Sequence, residues 1–260
     1  MGIDVDGIPW DDLETIFFDA GNTLVSIDFD WVTQELSQRG IACDASELRR
    51  AEAAARPKLS AWIESKASTE SRETFEFYLG SVLEQLDAAR AAGAARIAEL
   101  AGELTPVLRS PGEAQRLWSW VLPGVREALA RIADAGLELA VVSNSDGSVE
   151  SGLEALGLRR HFSAVFDSQL VGYEKPDPRI FEKALEVCGA DPARTLHVGD
   201  LYAADVVGAR KAGVHPLLLD PFDDWVDVDC PRLPDLASLG ERLQTRARLQ
   251  RKPTHLGSDR

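Results

Sequence analysis

Between residues 123 and 220 the sequence switches repeatedly between short apolar runs and helix-length amphipathic stretches, and this alternation limits the fold more than any other feature. VREALARIADAG spaces its apolar residues as a helix does and ends on Gly136, a good C-terminal stop. LELAVVS (137–143) follows as a strand, then a helix over about 148–157 and the strand AVFDS (164–168). The helix PRIFEKALEVCG (178–189), the strand TLHVGD (195–200), the helix ADVVGARKAG (204–213) and the strand VHPLLLD (214–220) complete the series. Residues 13–19 form one further strand ahead of it. Strands alternating with helices imply a parallel sheet covered on both faces, a Rossmann-like three-layer α/β core.

From Val25 to Trp120 the texture is helical only. DASE (44–47) reads as a capping box that opens a long helix through AEAAARPKLSAWIE. ETFEFYLGSVLEQLDAARAA and AARIAELAGEL continue in the same style. Trp31, Trp62, Trp118 and Trp120 read as core aromatics of this piece. The expected organisation is a discontinuous core, 1–26 with 120–240, interrupted by an α-helical insertion over 27–119. Residues 241–260 carry six basic against two acidic side chains and read as a basic, disordered tail.

Composition removes several function classes. The chain has 260 residues, 45% of them hydrophobic and 27% charged, which suits a globular protein with a sizeable core. A formal net charge of −15 opposes nucleic-acid binding. No basic, apolar leader opens the sequence and no stretch approaches the ~20 apolar residues of a membrane span. Cys43, Cys188 and Cys230 are far apart and odd in number, so reduced thiols in the cytoplasm are the expectation.

In an open parallel sheet, ligands bind beyond the carboxyl ends of the strands. Asp19 ends the first strand in FFDAGNTL, before the turn signal Gly21-Asn22-Thr23. Ser143 and Asn144 end the second, Lys175 lies in GYEKPDP after the third, and Asp200 ends the fourth, with Asp205 five residues later. Each residue alone could be a cap or a solvated loop position. Their recurrence at successive strand ends points to one crevice.

This order resembles the haloacid dehalogenase-like (HAD) hydrolase superfamily. Asp19 and Thr23 match its first motif, Ser143 in VVSN the second, Lys175 in YEKPDPRIF the third, and Asp200 and Asp205 in VGDLYAAD the fourth. The resemblance covers 14–26 and about 123–220, and the insertion takes the place of a C1-type cap. It implies that Asp19 attacks phosphorus and forms an aspartyl-phosphate. It also implies Mg²⁺ held by Asp19, Asp200 and the Gly21 carbonyl, with Asp205 binding the metal or orienting its waters. Lys175 would hold the nucleophile. Ser143, the Asn144 amide and the amides of the 20–23 turn would donate to the developing charge. The implied substrate is a small phosphorylated molecule, and the oligomeric state is not legible.

One departure matters. Phosphatases of the superfamily usually read Asp-x-Asp, the second Asp protonating the leaving oxygen, whereas this chain reads Asp19-Ala20-Gly21. General acid–base catalysis is worth ~10²–10⁴-fold, so a phosphatase of this kind is expected to be slow, or selective for good leaving groups. Asn22 cannot titrate; Asp28 and Asp30 are candidate substitutes. A haloacid dehalogenase also lacks that Asp but uses no metal, which leaves Asp200 and Asp205 without a purpose. Lys58 and Lys66 are the candidates for a Schiff-base lysine of the phosphonate-cleaving relatives and read as surface residues. A non-catalytic, metal-binding interaction module is the remaining alternative.

Overall fold

The computed structural model describes residues 7–65, 68–110 and 113–250. In chain order, β1 (Thr15–Phe18) and β2 (Val25–Ser26) lead into the helices α1 (Phe29–Gln38), α2 (Ala45–Glu64), α3 (Arg72–Leu83), α4 (Asp87–Ala92), α5 (Ala94–Leu108) and α6 (Ala114–Leu117). Then come β3 (Trp120–Val121), α7 (Val125–Asp134), β4 (Glu138–Ser143), α8 (Val149–Ala155), β5 (Ala164–Asp167), α9 (Ser168–Val171) and α10 (Pro178–Cys188). The chain continues through β6 (Thr195–Gly199), α11 (Val207–Lys211), β7 (His215–Leu219), β8 (Arg232–Leu233) and α12 (Leu236–Gln250).

Six strands form one sheet in the order β5-β4-β1-β6-β7-β8, and every neighbouring pair is parallel. Side chains alternate across it, as the period of two requires. Ile16, Phe18, Leu139, Val141, Leu196 and Val198 enter one core with α7 and α12. Phe17, Ala140 and Val142 enter the opposite core with Ile180, Phe181 and Ala209 of α10 and α11. Burial on both faces explains why these strands are nearly continuous apolar runs. The core is the α/β Rossmann-like fold expected from the alternation.

The insertion has its own apolar cluster, built by α1 to α5 around Leu36, Leu48, Leu79, Leu100 and Leu104. The expected capping box at its longest helix is present. Asp44 accepts from Glu47 N, and Glu47 accepts from Asp44 N. Of the four tryptophans, Trp31 is buried in this cluster and Trp118 and Trp120 pack against it, whereas Trp62 is half-buried and stacks on Phe77 at 4.0 Å.

Two expectations need correction. The tail assigned to 241–260 is helical as far as Gln250, because α12 spans that boundary; residues 251–260 lie outside the described residues. Leu236, Leu239 and Leu243 form a buried stripe at helical spacing, and a Cβ on Gly240 would lie 3.2 Å from Ala128 Cα, so α12 packs closely on α7. The basic residues concealed that stripe. The helix expected over 204–213 starts earlier, with a π-helical turn at Tyr202–Val206 that carries Asp205.

Candidate active site

The register of the sheet brings the strand ends together. Asp19 follows β1, Asp200 follows β6, Ser143 closes β4, and Lys175 comes in from the segment between α9 and α10. Lys175 Nζ lies 2.7 Å from Asp19 Oδ1 and 2.7 Å from Asp205 Oδ1. All four groups are buried. Burial raises the Asp19 carboxyl, while Lys175 and the Ser143 hydroxyl pull it back. Burial would lower the Lys175 ammonium, but Asp19 and Asp205 outweigh it and hold the amine charged.

Asp205 organises this centre. Its Oδ2 accepts from Asp200 N at 3.1 Å and Leu201 N at 2.9 Å, and its Oδ1 takes Lys175 and His197 Nε2 at 2.9 Å. Burial would raise Asp205, yet Lys175 and the His197 hydrogen bond outweigh it and keep it well below the usual carboxylate range. Gly199 makes the fit possible: a Cβ there would come within 2.1 Å of Asp205 Cγ, so the carboxylate tucks against bare backbone. His197 is itself buried, which pushes its imidazole down toward the neutral form.

Asp19, Asp200 and Asp205 each offer an oxygen within 4.8 Å of one another, a set able to hold a metal ion. The surrounding charges fit that use. Asp200 Oδ2 is buried and has no hydrogen-bond partner among the described residues. Arg56 Nε stands 3.4 Å from it as an ion pair. Burial raises Asp200 well above its ordinary value against the pull of Arg56. With Glu52, four buried carboxylates face two cations, a deficit that a divalent cation would neutralise.

The insertion builds one wall of the centre. Glu52 of α2 is fully buried and accepts from Asn22 Nδ2 at 2.8 Å, from Arg56 Nη2 at 2.6 Å and from the Tyr78 hydroxyl at 3.4 Å. Asn22 takes a left-handed φ of 51°, and Ser26 Oγ donates to its Oδ1 at 2.6 Å. Ser60 Oγ accepts from Ala203 N at 2.8 Å. On the other side, Asn144 Nδ2 donates to Lys175 O at 2.9 Å and to Thr69 Oγ1 at 2.7 Å, while its Oδ1 accepts from Lys175 N at 2.7 Å. The Asn144 side chain therefore clamps the Lys175 backbone, and only its main-chain N–H is left to serve a substrate.

A cavity of about 200 Å³ opens above Asp19, Gly21, Ser143, Lys175 and Asp200. Thr23 does not line it. Its hydroxyl is buried behind the turn without a hydrogen-bond partner among the described residues. Two of the turn amides expected to serve a substrate are already engaged, Asn22 N with Val25 O and Thr23 N with Ala20 O. The candidate replacement acids do not line the cavity either. Asp28 caps α1 by accepting from Trp31 N at 2.9 Å, and Asp30 is exposed in the first turn of α1. Lys58 pairs with Glu84 on the surface, and Lys66 lies outside the described residues.

Residues 13–213 match the family model of haloacid dehalogenase-like hydrolases. The chain belongs to that family. The bovine (Bos taurus) haloacid dehalogenase-like hydrolase domain-containing protein 3 is 37% identical to this HAD-like hydrolase over 171 residues, 65% of this chain and 66% of that one. The alignment thus spans just under two thirds of that relative. The phosphoglycolate phosphatase of Mesorhizobium japonicum is 38% identical over 99 residues, 38% of this chain and 43% of its own length. Among solved structures, the magnesium-bound HAD-hydrolase YfnB of Bacillus subtilis has a TM-score of 0.59 at 18% identity, covering 89% of this chain and 98% of that one. At that identity the likeness concerns the fold.

Several residues of this HAD-like hydrolase site escape motif reading. Glu52 and Arg56 continue the stripe of Leu48, Ala55 and Leu59 on α2, so charged residues on a buried face were a usable signal. His197, inside an apolar strand, was another. Trp118 gave none. Its six-membered ring would lie 3.3 Å from a Cβ on Gly21.

Proposed function

We propose that this HAD-like hydrolase is a magnesium-dependent phosphatase acting on a small phosphorylated molecule through an aspartyl-phosphate on Asp19. The observation that carries this reading is Asp19, fixed by Lys175 at the floor of the cavity, beside an Asp200 oxygen that no hydrogen bond engages. An Asp19 oxygen attacks phosphorus, the ester P–O bond breaks, and its electron pair leaves on the substrate oxygen. Water then attacks the aspartyl-phosphate, releasing inorganic phosphate and the free carboxylate. Lys175 neutralises phosphoryl oxygens, and the Ser143 hydroxyl donates a hydrogen bond alongside the main-chain N–H groups of Ala20, Gly21 and Asn144.

Magnesium would be held by Asp19, Asp200 and the Gly21 carbonyl, where it would offset the repulsion between two anions. Both oxygens of Asp205 already accept two hydrogen bonds, which favours an orienting role over direct ligation. Residues 27–119 would act as a C1-type cap over a core made of 7–26 and 120–250. Three free cysteines suit a reducing, cytoplasmic setting. Among the described residues no helix is long and apolar enough to cross a membrane.

The test is a panel of p-nitrophenyl phosphate, acetyl phosphate and sugar phosphates, assayed with Mg²⁺ and with EDTA, plus chloroacetate. Metal-dependent phosphate release is expected. Metal-independent chloride release would replace the reading with a dehalogenase, and no turnover of any kind would replace it with a binding module.

A further inference from the structure

We propose that the cavity above Asp19 receives an aromatic phosphate monoester, its ring packed against the part of Trp118 that lines the cavity beside Gly21. This substrate class rests on the phosphatase reading and narrows it. Three observations carry it.

The first is what replaces the acid. In the Asp19-Ala20-Gly21 turn, the volume that a side chain at 21 would enter is bordered by the Trp118 ring, whose Cζ3, Cη2 and Cε3 lie 3.3, 3.6 and 3.8 Å from the Cβ position. The site thus offers a flat apolar surface where a proton donor would otherwise stand. Indole faces favour offset or edge contacts with another ring.

The second is the shape and chemistry of the cavity. It holds about 200 Å³, and away from Asp19, Asp200 and Asp205 its wall is formed by Leu59, Phe75, Trp118 and Leu153 together with the polar Glu70 and Arg109. An apolar cavity of ~150 Å³ suffices for benzene. The cavity's larger share of apolar wall therefore suits one ring above the phosphoryl position.

The third is the leaving group. When the P–O bond breaks, the electron pair stays on the departing oxygen. With no acid at position 21, no side chain of the Asp19 turn protonates that oxygen as it leaves. A phenolate, whose conjugate acid has a pKa of about 10 as in tyrosine, tolerates this far better than an alkoxide. Apolar wall and missing acid select the same substrate.

Binding of non-hydrolysable probes separates this proposal from the reading beneath it. Isothermal titration of the full chain with Mg²⁺ would compare inorganic phosphate, methylphosphonate and phenylphosphonate. Phenylphosphonate should bind at least tenfold more tightly than methylphosphonate. Trp118→Ala, and Trp118→Leu as a better-packed second variant, should remove most of that preference while inorganic phosphate still binds. Equal affinity of the two phosphonates in the wild type would overturn the aromatic class and leave the phosphatase reading standing. A preference that survives in both variants would overturn the role of Trp118. Failure of all three anions to bind would overturn the phosphatase reading and the proposal together.

Discussion

Arg56 Nε stands 3.4 Å from Asp200 Oδ2, so helix α2 of the insertion supplies a buried cation to the carboxylate that follows β6. The same guanidinium holds Glu52 at 2.6 Å. Removing one member of a buried ion network leaves its partners uncompensated, at a cost of ~3–5 kcal/mol. Arg56→Met should therefore lower unfolding stability by about that amount. The double substitution Glu52→Gln with Arg56→Met should lose less than the two single losses added. Urea denaturation of the four proteins checks this, and simple additivity would mean that the pair does not act as a unit.

Magnesium should stabilise the folded chain through Asp19 and Asp200. A ligand at a hundred times its Kd contributes ~2.7 kcal/mol, enough for a clear rise in Tm. In Asp200→Ala the rise should shrink to near zero. A thermal-shift series in Mg²⁺ reads both, and equal stabilisation of the two proteins would remove Asp200 from the metal site.

Asp19→Asn should abolish turnover with the fold intact, since the amide is nearly isosteric but cannot attack phosphorus. Beryllofluoride, a mimic of the aspartyl-phosphate, should bind the wild type and not the variant. Retained activity in a clean Asp19→Asn preparation would take Asp19 out of the mechanism.

Gly21→Asp tests the missing acid directly. Gly21 is not among the residues with positive φ, so its backbone accepts an L side chain. The obstacle is Trp118 at 3.3 Å, which must give by a few tenths of an ångström. Across substituted phenyl phosphates the wild-type rate should fall steeply with leaving-group pKa, tenfold for each ~1.4 kcal/mol of added barrier. The variant should flatten that slope. A shallow slope in the wild type would show that another group already delivers the proton.

Glu70 should make stability depend on pH. It lines the cavity, and burial raises its carboxyl to about 7 against the pull of Arg109, with Glu174, Asp146 and Asp167 adding to the rise. The folded state thus favours the protonated form. That contribution is complete below the ordinary value of 4.5 and is lost as pH rises through about 7. Between pH 5 and 8 the wild type should therefore lose more stability than Glu70→Gln. Parallel urea midpoints for the two proteins over that range would refute the assignment.

The sequence by itself determined the layered core and which polar side chains gather at its carboxyl edge. Apolar strands, helix stops and the capping box at Asp44 are local patterns, set by neighbours within a turn or a pleat. A parallel sheet then delivers Asp19, Ser143, Lys175, Asp200 and Asp205 to one edge whatever the details of packing. Only the tertiary structure decided what surrounds them. Asn22 and Glu52 are 30 positions apart, Ser60 and Ala203 143 apart, and Trp118 reaches Gly21 across the whole insertion. No periodicity encodes such pairings. They arise when helices with their own apolar core dock on the carboxyl edge of the sheet, where a buried charge must find a partner or bear its desolvation. The same docking explains why Arg56 faces Asp200, why Asp28 caps a helix outside the cavity, and why an indole stands over Gly21.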